Sequence, residues 1–171
     1  DMGISHVIRG DDHVENTFRH LRIFHAMGVP PPAYAHLPMI VNAAGKPYSK
    51  RDGAAFVGEF RERGFLPEAL FNFLALLGWA PGDDREIMTR EEMVAAFTLD
   101  RCKSSAARFD FKKLTWMNGE YLRRLPRAIL DARFRERAAA AGLSPGAVPA
   151  AAWEAILDLM MEEQDTGFVL C

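Results

Sequence analysis

Two clusters in the first third of the chain have residue types and spacing that could do chemistry. The first is His6-Val7-Ile8-Arg9-Gly10-Asp11-Asp12-His13, where a short β-branched stretch runs directly into charged groups. Open α/β sheets present their ligands just past the ends of their strands. An arginine there can grip a carboxylate through two parallel hydrogen bonds. The carboxylate of Asp12 can accept from a ribose hydroxyl. The same residues also suit a plain turn, with Asp11 and Asp12 capping the following helix. A metal site built on Asp11, Asp12 and His13 is a third reading, but no second ligand cluster completes it. The second cluster is Tyr48-Ser49-Lys50-Arg51, in a loop flanked by Gly and Pro. Chemistry on ATP needs cations that stabilise charge developing on the departing pyrophosphate, and a loop can deliver them when substrate binds. A solvated basic turn has the same composition.

The elements that position these clusters follow from pattern. His6-Val7-Ile8 reads as a strand, and Gly10-Asp11-Asp12 as a turn. Val14, Phe18, Leu21, Phe24 and Met27 recur at helical spacing, with Gly28 as C-cap and Pro30-Pro31-Pro32 beyond it. Tyr34 to Val41 reads as a second strand, interrupted by Pro38. Residues 42–47 are a turn-rich loop. Helices are predicted over Ala54–Arg63, Pro67–Leu77, from Thr89 to Phe97, Asp110–Leu125, Leu130–Ala141 and Ala150–Gln164. Glu92 is placed to close a capping box with Thr89, and Pro67 is placed at a helix N-terminus. Gly142 to Pro149 is the strongest linker candidate. Strand–helix–strand–loop followed by helices alone predicts an α/β unit passing into a mostly α region: the tail of a nucleotide-binding domain leading into helices.

Composition bounds the alternatives. The chain has 171 residues, 49% hydrophobic and 26% charged, ordinary for a globular protein and long enough to bury a core without staples. Cys102 and Cys171 lie far apart and form no CxxC pair, which predicts a reducing compartment and no structural zinc. No apolar run is long enough to cross a membrane and no signal peptide is apparent, so the expected location is cytoplasmic. Asp1 in place of Met, and the apolar end Phe168-Val169-Leu170-Cys171, read as a piece cut from a longer protein. Net charge is −2, but it is unevenly spread. Residues 1–100 carry 10 basic and 14 acidic side chains, residues 101–137 carry 11 and 4, and residues 138–171 carry none and 5. The middle stretch can meet a phosphate backbone, or simply be a solvated helix face.

Neither cluster is specific alone; in this order and about 40 residues apart, they resemble the glutamyl-tRNA synthetases. His6 to Gly10 with Asp12-His13 and Asn16-Thr17 looks like the family segment that follows the insertion in its nucleotide-binding fold. Tyr34-Ala35-His36-Leu37-Pro38-Met39-Ile40 resembles the strand before the second ATP signature, and Tyr48-Ser49-Lys50-Arg51 resembles that signature, usually written KMSKS. Gly64 to Leu70, Leu77-Gly78-Trp79, and Phe109-Asp110 with Lys113-Leu114, Trp116-Met117-Asn118 and Tyr121 recur there too. The resemblance covers about residues 1–125; residues 126–171 fit the start of a helical anticodon-binding region.

The resemblance implies the C-terminal half of a Rossmann-like catalytic domain at 1–63, a helical connective domain at 64–125 and the start of an anticodon-binding domain from 126. It implies a monomeric parent that activates glutamate with ATP and Mg2+ and esterifies it onto tRNA(Glu). By resemblance, Arg9 pairs with the glutamate side chain, and Asp12 and His13 sit near the adenosine. Met39 and Ile40 lie against the adenine, with their backbone groups reading its edge. Lys50 is the catalytic cation on the phosphates, Ser49 and Arg51 shape its loop, and no residue is assigned to metal. Lys103, Arg108, Lys112 and Lys113 are expected at the inner corner of tRNA. Trp116 and Tyr121 read as core rather than base-stacking platforms. One departure stands out: the signature's first Lys falls at Pro47. The first ATP signature, His-x-Gly-His in kind, does not occur in this chain, so the fragment alone is expected to make no adenylate. Competing readings are a glutamyl-queuosine tRNA synthetase-like paralogue, which lacks an anticodon-binding region, and a glutaminyl enzyme, which continues into β-barrels. A non-catalytic tRNA-binding module and a metallohydrolase complete the set.

Overall fold

The computed structural model describes residues 2–53 and 56–162. Strand β1 (His6–Gly10) leads through a single 3-10 turn at Asp11–His13 into helix α1 (Val14–Ala26). Gly28, at φ 67°, ends α1. Its N–H reaches the His25 carbonyl and the Val29 N–H reaches that of Phe24, the paired C-terminal bonds that a left-handed residue permits. The chain returns as β2 (Ala33–Leu37), parallel to β1 with Arg9 opposite His36.

The predicted strand Tyr34–Val41 divides at Pro38-Met39. Proline cannot donate to a ladder, and past it the chain joins a second small sheet as β3 (Ile40–Val41). Its parallel partner is β4 (Ala107–Arg108), two residues that pattern did not predict.

Helix α2 (Val57–Glu62) is shorter than the predicted Ala54–Arg63: Phe56 is extended, and Ala54 and Ala55 lie outside the described residues. Gly64, at φ 82°, ends it with the same paired bonds as Gly28, and Phe65 folds back edge-on to Phe60, ring centroids 5.7 Å apart. Then come α3 (Pro67–Gly78), α4 (Arg90–Ala96), α5 (Phe111–Arg124), α6 (Arg127–Ala140) and α7 (Ala150–Glu162). Thr89 and Glu92 form the expected reciprocal capping bonds at α4, and the Asp110 carboxylate accepts from the Lys113 N–H at α5. Helix α6 begins one turn before the predicted Leu130, because the Pro126 carbonyl accepts the Leu130 N–H. The predicted end of α7 at Gln164 lies outside the described residues, as does Cys171. The linker candidate is ordered: it holds a 3-10 turn at Pro145–Ala147, and Val148 packs on the core.

Three apolar clusters make that core. Leu66, Ala69, Leu122, Leu130, Trp153 and Leu157 join α3, α5, α6 and α7. Phe60, Phe65, Leu70, Phe73, Leu114 and Met117 join α2, α3 and α5. Trp79, Met88 and Met93 form the third. Two fully buried asparagines tie these layers by hydrogen bonds. The Asn118 Oδ1 accepts the Leu66 N–H at 2.8 Å, and the Asn72 Oδ1 accepts from the Met88 N–H and the Tyr121 hydroxyl. Tyr121 is thus half-buried as expected. Trp116 is not core: it is 39% exposed, since it lies two residues from Leu114, on the far side of a helix whose buried face is Leu114, Met117, Asn118 and Leu122.

Candidate active site

Arg9 sits near the end of β1 within a small polar cluster. Its guanidinium donates to the Thr17 Oγ1 at 2.6 Å and lies over the Tyr34 ring, 5.4 Å from the centroid. The Thr17 Oγ1 is also 2.9 Å from the His36 Nε2. The β1–β2 register brings Arg9 and His36 side by side, and α1 lays Thr17 across them. Arg9 Nε is buried without a hydrogen-bond partner among the described residues. A buried, unpaired N–H is costly. Asp12 and His13 stand at the surface beside one another, 3.8 Å apart. Thr17, Tyr34 and His36 carry no predicted role, although all three lie in the quoted motifs; their convergence depends on strand register.

The second cluster is built on Asn42. Its Oδ1 accepts the N–H groups of Ala44 and Lys46, both at 3.0 Å, and its Nδ2 donates to the Asp52 carboxylate at 2.7 Å. Asp52 in turn accepts from the Ser49 N–H and Oγ at 2.8 and 2.9 Å. Those bonds, Asn42 first and then Ser49, hold its carboxyl below the usual carboxylate value. Asn42 and Asp52 therefore fix the loop that carries Ser49, Lys50 and Arg51. The Asp52 carboxylate is occupied within the loop, and Lys50 and Arg51 project as exposed cations with no carboxylate partner among the described residues.

Pro47 fits without strain. Val41 and Pro47 face each other in an antiparallel bridge flanked by bonds from the Asn42 N–H to the Lys46 carbonyl and from the Tyr48 N–H to the Ile40 carbonyl. That makes Val41–Pro47 the pair with no hydrogen bond of its own, so the N–H that proline lacks is not required. Tyr48 anchors the loop to the helical core, its ring stacked on Phe109 at 4.5 Å; burial, then the Asp52 charge, push its phenol upward. Phe109 also meets Phe73 edge-on at 5.0 Å. The carbonyls of Met39 and Ile40 accept from the Ala107 and Tyr48 N–H groups, so both serve the second sheet and its hairpin.

Of the four basic residues assigned to RNA, three come together. Lys103, Arg108 and Lys113 line one depression of about 270 Å³ with Ser105 and Asp110, and Lys112 lies outside it. Arg108 donates to the Ala43 carbonyl at 2.8 Å, and Lys113 pairs with Glu86.

Residues 1–116 match the family model described as tRNA synthetases class I (E and Q), catalytic domain. The chain belongs to this family of class I synthetases. A glutamate–tRNA ligase of Synechococcus sp. is 49% identical over 153 residues, 90% of this chain and 32% of its own length. One from Burkholderia lata is 46% identical over 167 residues, 97% of this chain and 35% of its length. A crystal structure of a glutamate tRNA ligase from Elizabethkingia meningosepticum, in complex with its amino acid, superposes with a TM-score of 0.83 at 32% identity, over 99% of this chain and 36% of that one. The chain thus spans about a third of the length of these synthetases. Its fold is their partial α/β nucleotide-binding region followed by helices. No helix among the described residues is long and apolar enough to cross a membrane.

Proposed function

We propose that this chain is the ATP-loop and connective portion of a glutamate–tRNA ligase. The parent joins glutamate to ATP, forming glutamyl-adenylate and pyrophosphate. It then transfers the glutamyl group to the 3′-terminal ribose of tRNA(Glu), releasing AMP. The observation that carries this reading is the Asn42–Asp52–Ser49 scaffold, which fixes the loop's shape while leaving the Lys50 cation unneutralised. Preorganised cations of this kind stabilise charge as it develops in the transition state, and losing one donor costs about 10²–10³ in rate.

In this reading Lys50 meets the phosphates, and Ser49 and Arg51 hold the loop around them. Arg9 takes the glutamate side-chain carboxylate through its guanidinium. Asp12 and His13 flank the adenosine, and Met39 and Ile40 lie against the adenine. Mg2+ travels with ATP. Among the described residues no three His, Cys, Asp or Glu side chains gather to hold a metal. Lys103, Arg108, Lys112 and Lys113 meet tRNA phosphates. Residues 1–63, 64–125 and 126–171 serve as catalytic, connective and anticodon-side units, with apolar packing continuous across both boundaries.

The test is glutamate- and tRNA-dependent ATP–pyrophosphate exchange by the longer protein. Lys50→Ala should lower it at least about tenfold, a floor under the usual loss, while the 171-residue chain alone should show none. Exchange absent from the longer protein, with tRNA binding intact, would assign it instead to a binding module.

A further inference from the structure

A groove of about 530 Å³ lies between α2, the start of α3 and α6. Arg61 contributes from α2, and Arg133 and Arg137 contribute from α6, one helical turn apart. Among the described residues of its lining Glu136 is the one acid, and the floor is the buried apolar set Phe60, Phe65 and Leu66. Arg137 donates to the Glu62 carbonyl at the end of α2, which fixes α6 beside α2 and sets the width of the groove. Among the described residues no carboxylate pairs with Arg61 or Arg133. The sites assigned above to nucleotide, glutamate and tRNA include none of these residues.

We infer that this groove is a second binding surface for the tRNA sugar–phosphate backbone, with Arg61 and Arg133 as the phosphate-binding groups. This rests on the reading that the parent binds tRNA. Three guanidiniums against one carboxylate complement a polyanion, and the planar guanidinium fork matches two phosphate oxygens at once. Guanidiniums over an apolar floor fit phosphate binding, which positions a nucleic acid without reading its sequence. The groove is therefore expected to add affinity and salt dependence but no preference among tRNAs.

Filter binding of tRNA(Glu) to this 171-residue chain between 50 and 200 mM KCl tests it, with melting temperatures confirming that each variant folds. Arg61→Gln combined with Arg133→Gln should lower the slope of log affinity against log salt by about 1 for each phosphate left without its cation. It should weaken binding equally for a non-cognate tRNA. Arg61→Lys with Arg133→Lys should restore most of the slope, because the charge returns without the fork. Affinity and slope unchanged in the glutamine pair, while Lys103→Gln with Lys112→Gln weakens binding, would overturn the groove and leave the tRNA reading standing. Weaker binding in the groove pair but not in the lysine pair would uphold the groove and remove those lysines from the interface. A wild-type chain that binds no tRNA overturns both readings. A glutamine pair that still binds tRNA but no longer binds a poly-glutamate peptide gives the groove to an acidic protein segment instead.

Discussion

Every buried apolar side chain among the described residues lies between Phe60 and Leu157, whereas in residues 2–53 the one buried side chain is Thr17. The helical region holds its shape by packing α3 against α5 and by two buried asparagines. The α/β region carries the proposed chemistry, yet it holds its side chains by local hydrogen bonds: Arg9 to Thr17, and Asn42 to Asp52 to Ser49. Parallel sheets are normally covered on both faces. Here β1, β2 and α1 leave Ile8, Phe18 and Ile23 about half exposed. In this chain, about a third of its relatives' length, position and stability are supplied by different parts, linked through Tyr48 and Phe109.

That contrast can be broken first in the core. Leu114→Ala or Leu157→Ala removes a fully buried side chain and should cost about 2–5 kcal/mol in urea unfolding. Phe18→Ala on α1 should stay within about 0.5 kcal/mol. Equal losses at the two places would end the distinction. Next comes Asn118→Ala, which leaves the Leu66 N–H buried without its acceptor and should cost about 1–3 kcal/mol. An unchanged unfolding midpoint would mean that packing alone joins α3 to α5.

Hydrogen exchange sharpens the comparison amide by amide. Regions with little buried apolar surface open at low free energy, so β1 and β2 amides should exchange at least about 100-fold faster than those in the middle of α5. Similar protection in both would show a single cooperative unit.

The smallest effect belongs to the loop. Asp52 has a folded value below its ordinary 3.8, so its contribution is present above that value and lost as pH falls through the folded one. Protection of the Ser49 amide should therefore persist at neutral pH, fade in acid below that value, and be absent at all pH in Asp52→Ala. A protected Ser49 amide in that variant would sink the scaffold.

The sequence by itself determined what neighbours within a few residues decide. Helix ends at Gly28 and Gly64, the Thr89–Glu92 box and the Asp110 cap depend on bonds between residues three or five positions apart, and each is where its residue type requires. The motifs marked Arg9 and Lys50 for the same reason: each lies in a short run of distinctive residues. Tertiary structure alone decided the rest. Strand β4 is two residues long, too short for a periodic signal, and exists because β3 is there to pair with it. The Arg9 cluster needs the register of β2 and the placement of α1. Pro47 is harmless only because it falls opposite Val41, where no N–H is used. Trp116 reads as core by residue type, but the face of α5 that meets α3 excludes it. Except at the local Val41–Pro47 hairpin, the deciding partner lies far along the chain, and folding brings it close.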